Sequence, residues 1–86
     1  MTYDLVLTQS AHKFYEKAEH GLVKRLNRCF NQIREDPRSH PNVKALRGQL
    51  SGYFRYRLGE WRIVYSVDES RRVITILLIV HRRSAY

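Results

Sequence analysis

YFRYRLGEWRIVYSV, residues 53–67, alternates apolar or aromatic residues with polar and cationic ones on both sides of a Gly-Glu pair. Alternation over this length predicts two half-buried strands, and glycine at the first position of a two-residue turn is the choice of a type II′ hairpin. A two-residue turn fixes the register. Leu58 is then opposite Trp61, Tyr56 opposite Ile63 and Phe54 opposite Tyr65, which gives one apolar, aromatic face for helices to cover. On the other face Arg57 is opposite Arg62, Arg55 opposite Val64 and Tyr53 opposite Ser66. Directly opposed like charges cost a strand pair some tenths of a kcal/mol up to about 1. Stability alone does not favour such a pairing, whereas a phosphate between Arg57 and Arg62 turns the repulsion into charge-assisted hydrogen bonding. The competing explanation is that arginine stems cover apolar sheet while their heads meet water; three arginines on one face favour an anion site.

Working outward, YDLVLT (3–8) places Tyr3, Leu5 and Leu7 on one side, as in a first strand. Thr8 or Ser10 is a candidate cap for a helix carrying Ala11, Phe14, Tyr15 and Ala18, with Gly21 as the expected break. Leu22, Leu26, Cys29, Phe30 and Ile33 form the apolar stripe of a second helix, which Asp36-Pro37 ends. DPRSHPNVK (36–44) reads as a polar loop, and Gly48 and Gly52 bracket a further turn. RVITILLIV (72–80) is apolar almost throughout, as expected of a central strand covered on both faces. It runs without a spacer into His81, Arg82, Arg83 and Tyr86.

The chain has 86 residues, enough for one domain spanning 1–86. Sixteen Lys and Arg against eight Asp and Glu give a net charge of +8, which favours a polyanionic partner. No apolar run is long enough to span a bilayer, no secretory signal pattern opens the chain, and Cys29 has no cysteine to pair with, so a soluble protein of the reducing cytoplasm is expected. The histidines and acids show no metal-ligand spacing, so neither a metal site nor a cofactor is expected. Cys29 reads as core, and Trp61 as packed beneath the sheet. The cations Lys13, Lys17, Lys24, Arg25 and Arg28 read as a solvated helix face open to RNA phosphates or to an acidic partner.

Leu46-Arg47-Gly48, the pair Arg55 and Arg57, the run Gly59-x-Trp61-Arg62-Ile63-Val64-Tyr65, and His81-Arg82-Arg83 before Tyr86 occur in the order found in the RelE family of toxin–antitoxin toxins, which this chain resembles over almost its whole length. The resemblance implies an α+β fold, RelE-like (microbial ribonuclease-like): a small antiparallel sheet with two N-terminal helices on one face, in the order β-α-α-β-β-β. It further implies a ribosome-dependent mRNA endoribonuclease, neutralised by a RelB-like cognate antitoxin, with the ribosome and mRNA as its other partners. By resemblance Arg62 stabilises the scissile phosphate, and Arg82, or Arg83 if the register slips by one, serves the leaving group. Arg55 and Arg57 stand where the family often has lysine. An arginine, always protonated, is a poor general base, so these two are assigned to charge stabilisation and the base to Tyr86 or His81. Tyr86 is alternatively a platform for an unstacked base. Two other readings stand beside this one: a ParE-like inhibitor of DNA gyrase without nuclease activity, and a basic nucleic-acid-binding module without chemistry.

Overall fold

A computed structural model describes residues 2–84. The chain begins with strand β1 (Asp4–Leu7), continues through helices α1 (Gln9–Lys17) and α2 (His20–Glu35), and ends in strands β2 (Val43–Ala45), β3 (Tyr53–Leu58), β4 (Trp61–Asp68) and β5 (Val73–His81). The spatial order of the five-stranded sheet is β1-β5-β4-β3-β2. From β2 to β5 each strand is antiparallel to its neighbour, while β1 adds to β5 in parallel. The expected α+β arrangement stands, with one strand more than the predicted order.

Both helices lie on the same side of the sheet. The stripe Leu22, Leu26, Cys29, Phe30 and Ile33 of α2 is buried throughout, against Tyr56, Ile63, Tyr65, Ile74, Ile76 and Ile79 of the sheet. Burial pushes the Cys29 thiol up to about 12, so at neutral pH it is an inert, protonated core group. Thr8 caps α1: its Oγ1 accepts from the Ala11 amide (3.3 Å) and donates to the Leu77 carbonyl (2.6 Å). The second bond has a particular use. Val64 pairs with Leu78 but Tyr65 with Ile76, so Leu77 is the extra residue of a bulge whose carbonyl the ladder leaves over.

The interhelical break falls at Ala18-Glu19 rather than at Gly21, which lies in the first turn of α2. Glu19 is the cap, its carboxylate accepting from the Leu22 amide at 3.0 Å, and a Cβ on Gly21 would stand 3.0 Å from that carboxylate. The glycine therefore makes room for a cap and does not end a helix. At the other end, Asp36 precedes Pro37 and leaves the helical region (φ −149°, ψ 90°), as proline demands of its predecessor. The following segment is tied under the sheet by the Tyr65 hydroxyl, which donates to the Pro37 carbonyl (2.6 Å), and by His40 stacked on Tyr56 (5.2 Å).

The hairpin has the register its turn dictates. All six predicted pairs, from Tyr53–Ser66 to Leu58–Trp61, are present, and Gly59 takes the positive φ (58°) of a type II′ first position. Two expectations change. The loop read over 36–44 gives way at its end to β2, where Val43 pairs with Tyr56, Lys44 with Arg55 and Ala45 with Phe54. β5, expected to be covered on both faces, is covered on one: Ile74, Ile76 and Ile79 are buried, but Val73, Thr75, Leu78 and Val80 on the other side are only half-buried. That second face carries no helix, and Val6 on it is 48% exposed.

Candidate functional site: a cationic face on an uncovered sheet

The pleat sorts the sheet into two chemically different surfaces. In the hairpin the pairs Phe54–Tyr65, Tyr56–Ile63 and Leu58–Trp61 face the helices; Lys44, Arg55, Arg57, Arg62, Val64, Leu78 and Val80 share the uncovered side. Charge is polarised along this side. The cations gather at the corner formed by β2, β3 and the hairpin end of β4, whereas Asp4 and Asp68 flank Val73 at the opposite corner.

Arg57 and Arg62 are Cα partners. The Arg57 amide donates outward to the Asn42 carbonyl (2.9 Å), so toward β4 the Arg57–Arg62 pair is of the non-hydrogen-bonded type, in which side chains come closest. The ion pairs among the described residues join His12 to Glu16, Glu69 to Arg38 and Arg72, and Glu60 to Arg82; none involves Arg55, Arg57 or Arg62. Arg62 Nη1 instead donates to two backbone carbonyls, Gly59 (2.8 Å) and Trp61 (2.9 Å), which orient the guanidinium without neutralising it. Its Nε and Nη2 donors point to no carboxylate among the described residues. Val64, between these arginines in the strand lattice, is only 3% exposed although no helix covers it, as expected where arginine stems lie over apolar sheet.

Beside Arg55 lies a groove of about 570 Å³, lined by Lys44, Ala45, Leu46, Arg47 and Arg55. Lys44 and Arg47, which line this groove, were assigned no role from the sequence. Lys44 was legible only if residues 43–45 were read as a strand, which puts it directly opposite Arg55; Arg47 was part of the Leu46-Arg47-Gly48 motif but given no role.

The end of β5 divides the remaining predicted residues. His81 pairs with Trp61 on the helix side, its ring edge-on to the indole at 5.2 Å, and the indole in turn meets Phe14 at 5.1 Å. The structure therefore does not bring His81 onto the arginine face, although it places Trp61 beneath the sheet as expected. His81 Nδ1 accepts from the Arg83 amide (3.3 Å), at the start of the 3-10 turn Arg82–Ser84. Arg82 is anchored to the hairpin: its amide donates to the Glu60 carbonyl (2.7 Å) and its Nε lies 3.1 Å from the Glu60 carboxylate. Arg83 is exposed. Tyr86 lies outside the described residues. Among the described residues, no group of three or more His, Cys, Asp or Glu is placed to hold a metal ion, and no helix is long and apolar enough to cross a membrane.

A small mixed sheet with two helices on one side, and on the other arginines without a salt-bridge partner among the described residues, matches a RelE-like toxin fold. Comparison with known proteins agrees. The model of the ParE toxin of type II toxin–antitoxin systems matches residues 5–86, and the chain belongs to this family, within the RelE/ParE superfamily. Toxin RelG of Mycobacterium tuberculosis is 37% identical over 43 residues, a stretch that covers 50% of this chain and 49% of the relative, so the match spans about half of that protein's length. Among solved structures, a RelBE toxin–antitoxin complex from Mycobacterium tuberculosis superposes with a TM-score of 0.82 at 25% identity, covering 95% of this chain and 100% of that one. The archaeal RelE–RelB complex from Pyrococcus horikoshii also gives 0.82, at 27% identity over 99% of this chain and 100% of that one. The protein is thus a type II toxin–antitoxin toxin; its family model bears the ParE name, and these relatives bear RelE-type names.

Proposed function

We propose that this toxin is a ribosome-dependent mRNA endoribonuclease of the cytoplasm, restrained by a RelB-like cognate antitoxin. The observation that carries the reading is the Arg57–Arg62 pair, opposed across the hairpin on the uncovered face and without an acidic partner among the described residues. An arrangement that costs stability and gathers positive charge is accounted for by an anion that resides there during function.

Cleavage of RNA by its own 2′-hydroxyl requires deprotonation of that hydroxyl, stabilisation of a dianionic phosphorane and protonation of the departing 5′-oxygen. Arg62, oriented by two carbonyls, and Arg57 supply donors to the non-bridging oxygens as negative charge grows. Arg55, with Lys44 and Arg47 along the groove, holds the adjoining backbone. Arg82, whose amide is bonded to the hairpin turn at the Glu60 carbonyl, is assigned to the leaving group in preference to Arg83. The position of His81 beneath Trp61 shifts the base to Tyr86, or to a group the ribosome contributes.

The test maps new 5′ ends on a defined message incubated with the purified protein, with and without translating ribosomes, beside a gyrase supercoiling assay. Cuts that need ribosomes, lost in Arg62→Ala while folding and antitoxin binding persist, are expected. Gyrase inhibition without cuts would instead support the second reading, which the ParE name of the matched family model favours. Undiminished cutting by a well-folded Arg62→Ala protein would remove Arg62 from the mechanism.

A further inference from the structure

The hairpin turn Gly59-Glu60 sits among guanidinium groups from three parts of the chain. Arg62 Nη1 is on the Gly59 carbonyl, Arg82 Nε is on the Glu60 carboxylate, and Arg25 Nη2 comes within 2.5 Å of where a Cβ on residue 59 would stand. Glu60 is the acidic residue in this group, and its partner is the arginine assigned to the leaving group. We propose that the Glu60 carboxylate is an internal occupant of the anion site, which an RNA phosphate displaces from Arg82, so that Glu60 sets the affinity and salt sensitivity of the site. This inference rests on the nucleic-acid reading above.

Three features carry it. First, the carboxylate is not needed to place Arg82, because the Arg82 amide is bonded independently to the Glu60 carbonyl at 2.7 Å. Second, the side-chain pair is open to water, with 52% of the arginine and 59% of the glutamate side chain exposed, and a pair so exposed contributes little and exchanges readily. Third, a phosphate offers the guanidinium fork two acceptor oxygens in a suitable geometry, where the present contact is made through Nε. Glu60 thus keeps one cation occupied until a stronger anion arrives, and rejects weak anions by its own charge.

The variant Glu60→Gln retains shape and the backbone bond while removing the charge. Its binding to a short single-stranded 2′-O-methyl RNA, which cannot be cut, is measured by fluorescence anisotropy across a salt series. It is expected to bind about two- to fivefold more tightly than the wild type at low salt, and the slope of log K against log salt should steepen slightly, because the gain shrinks as salt screens the competing Glu60–Arg82 pair. In an Arg82→Ala background the Glu60→Gln change should give neither effect. Unchanged or weaker binding with an unchanged slope would overturn the inference while leaving the functional reading intact. A gain that survives in Arg82→Ala would also overturn it, as would a gain with no change in slope. A wild-type protein with no salt-dependent affinity for RNA would remove the nucleic-acid reading itself.

Discussion

Replacing Arg57 with glutamine should make the fold more stable and the toxin less active. Arg57 and Arg62 form a non-hydrogen-bonded cross-strand pair, for which Cα atoms lie about 4.5 Å apart and side chains run side by side. Two unit charges roughly 6–8 Å apart in a water-like dielectric repel by about 0.5–0.7 kcal/mol, within the range of about 0.2–1 kcal/mol for directly opposed cross-strand pairs. In a domain of this size each kcal/mol moves Tm by about 4–8 °C, so Arg57→Gln should raise Tm by about 2–5 °C at low ionic strength. Glutamine keeps a stem over the sheet, so the change is mostly electrostatic. The gain should shrink to under about 1 °C at 1 M salt, where the Debye length is near 3 Å. Lys13→Gln on the solvent face of α1 removes the same unit of net charge without an opposed partner and should give a smaller gain. Thermal unfolding followed by circular dichroism at both ionic strengths makes the comparison. A Tm for Arg57→Gln that is unchanged or lower at low salt, or a gain indifferent to salt, would refute the idea that this face stores repulsion for a ligand to relieve.

Two further outcomes follow from the same structure. Tyr65→Phe leaves the Pro37 carbonyl without its donor beneath the sheet and should cost about 1–3 kcal/mol in chemical denaturation, with the arginine face unaltered. The Tyr3 hydroxyl, followed by the Arg38 guanidinium, holds the Glu69 carboxyl below the usual carboxylate range. A carboxylate whose folded-state pKa is depressed stabilises the fold above its unfolded pKa and loses that contribution as pH falls through the folded one. Tyr3→Phe should therefore flatten the decline of Tm with acidification below the ordinary carboxylate range, and a decline identical to the wild type would show that Glu69 is not the group responsible.

Much of the fold was legible because the hairpin turn is short. Two residues beginning with glycine leave one register, and that register placed Tyr56, Ile63 and Tyr65 in the core and Arg55, Arg57 and Arg62 outside it. What the sequence did not disclose has local causes. β2 is three residues long, and its extended form comes from pairing with β3 rather than from its own propensity. Gly21 is a helix breaker by type, but here its missing side chain admits the Glu19 cap. β5 is apolar at almost every position, so it carried no alternation from which to assign faces, and the bulge at Leu77 shifts the parity of every residue after it. That shift is why the face of His81 could not be read in advance, and why the site separates into an arginine surface and a histidine beneath Trp61.

The bulge at Leu77 has one more consequence. Downstream of it, adding or deleting a single residue in β5 exchanges the inward and outward sets, sending Ile79 to water and Val80 into the core. The last strand therefore tolerates changes of identity on its bare side far better than changes of length. Divergence among relatives with this architecture is accordingly expected to rewrite the letters of that surface while conserving the count of residues between Thr8's anchor and the terminal arginines.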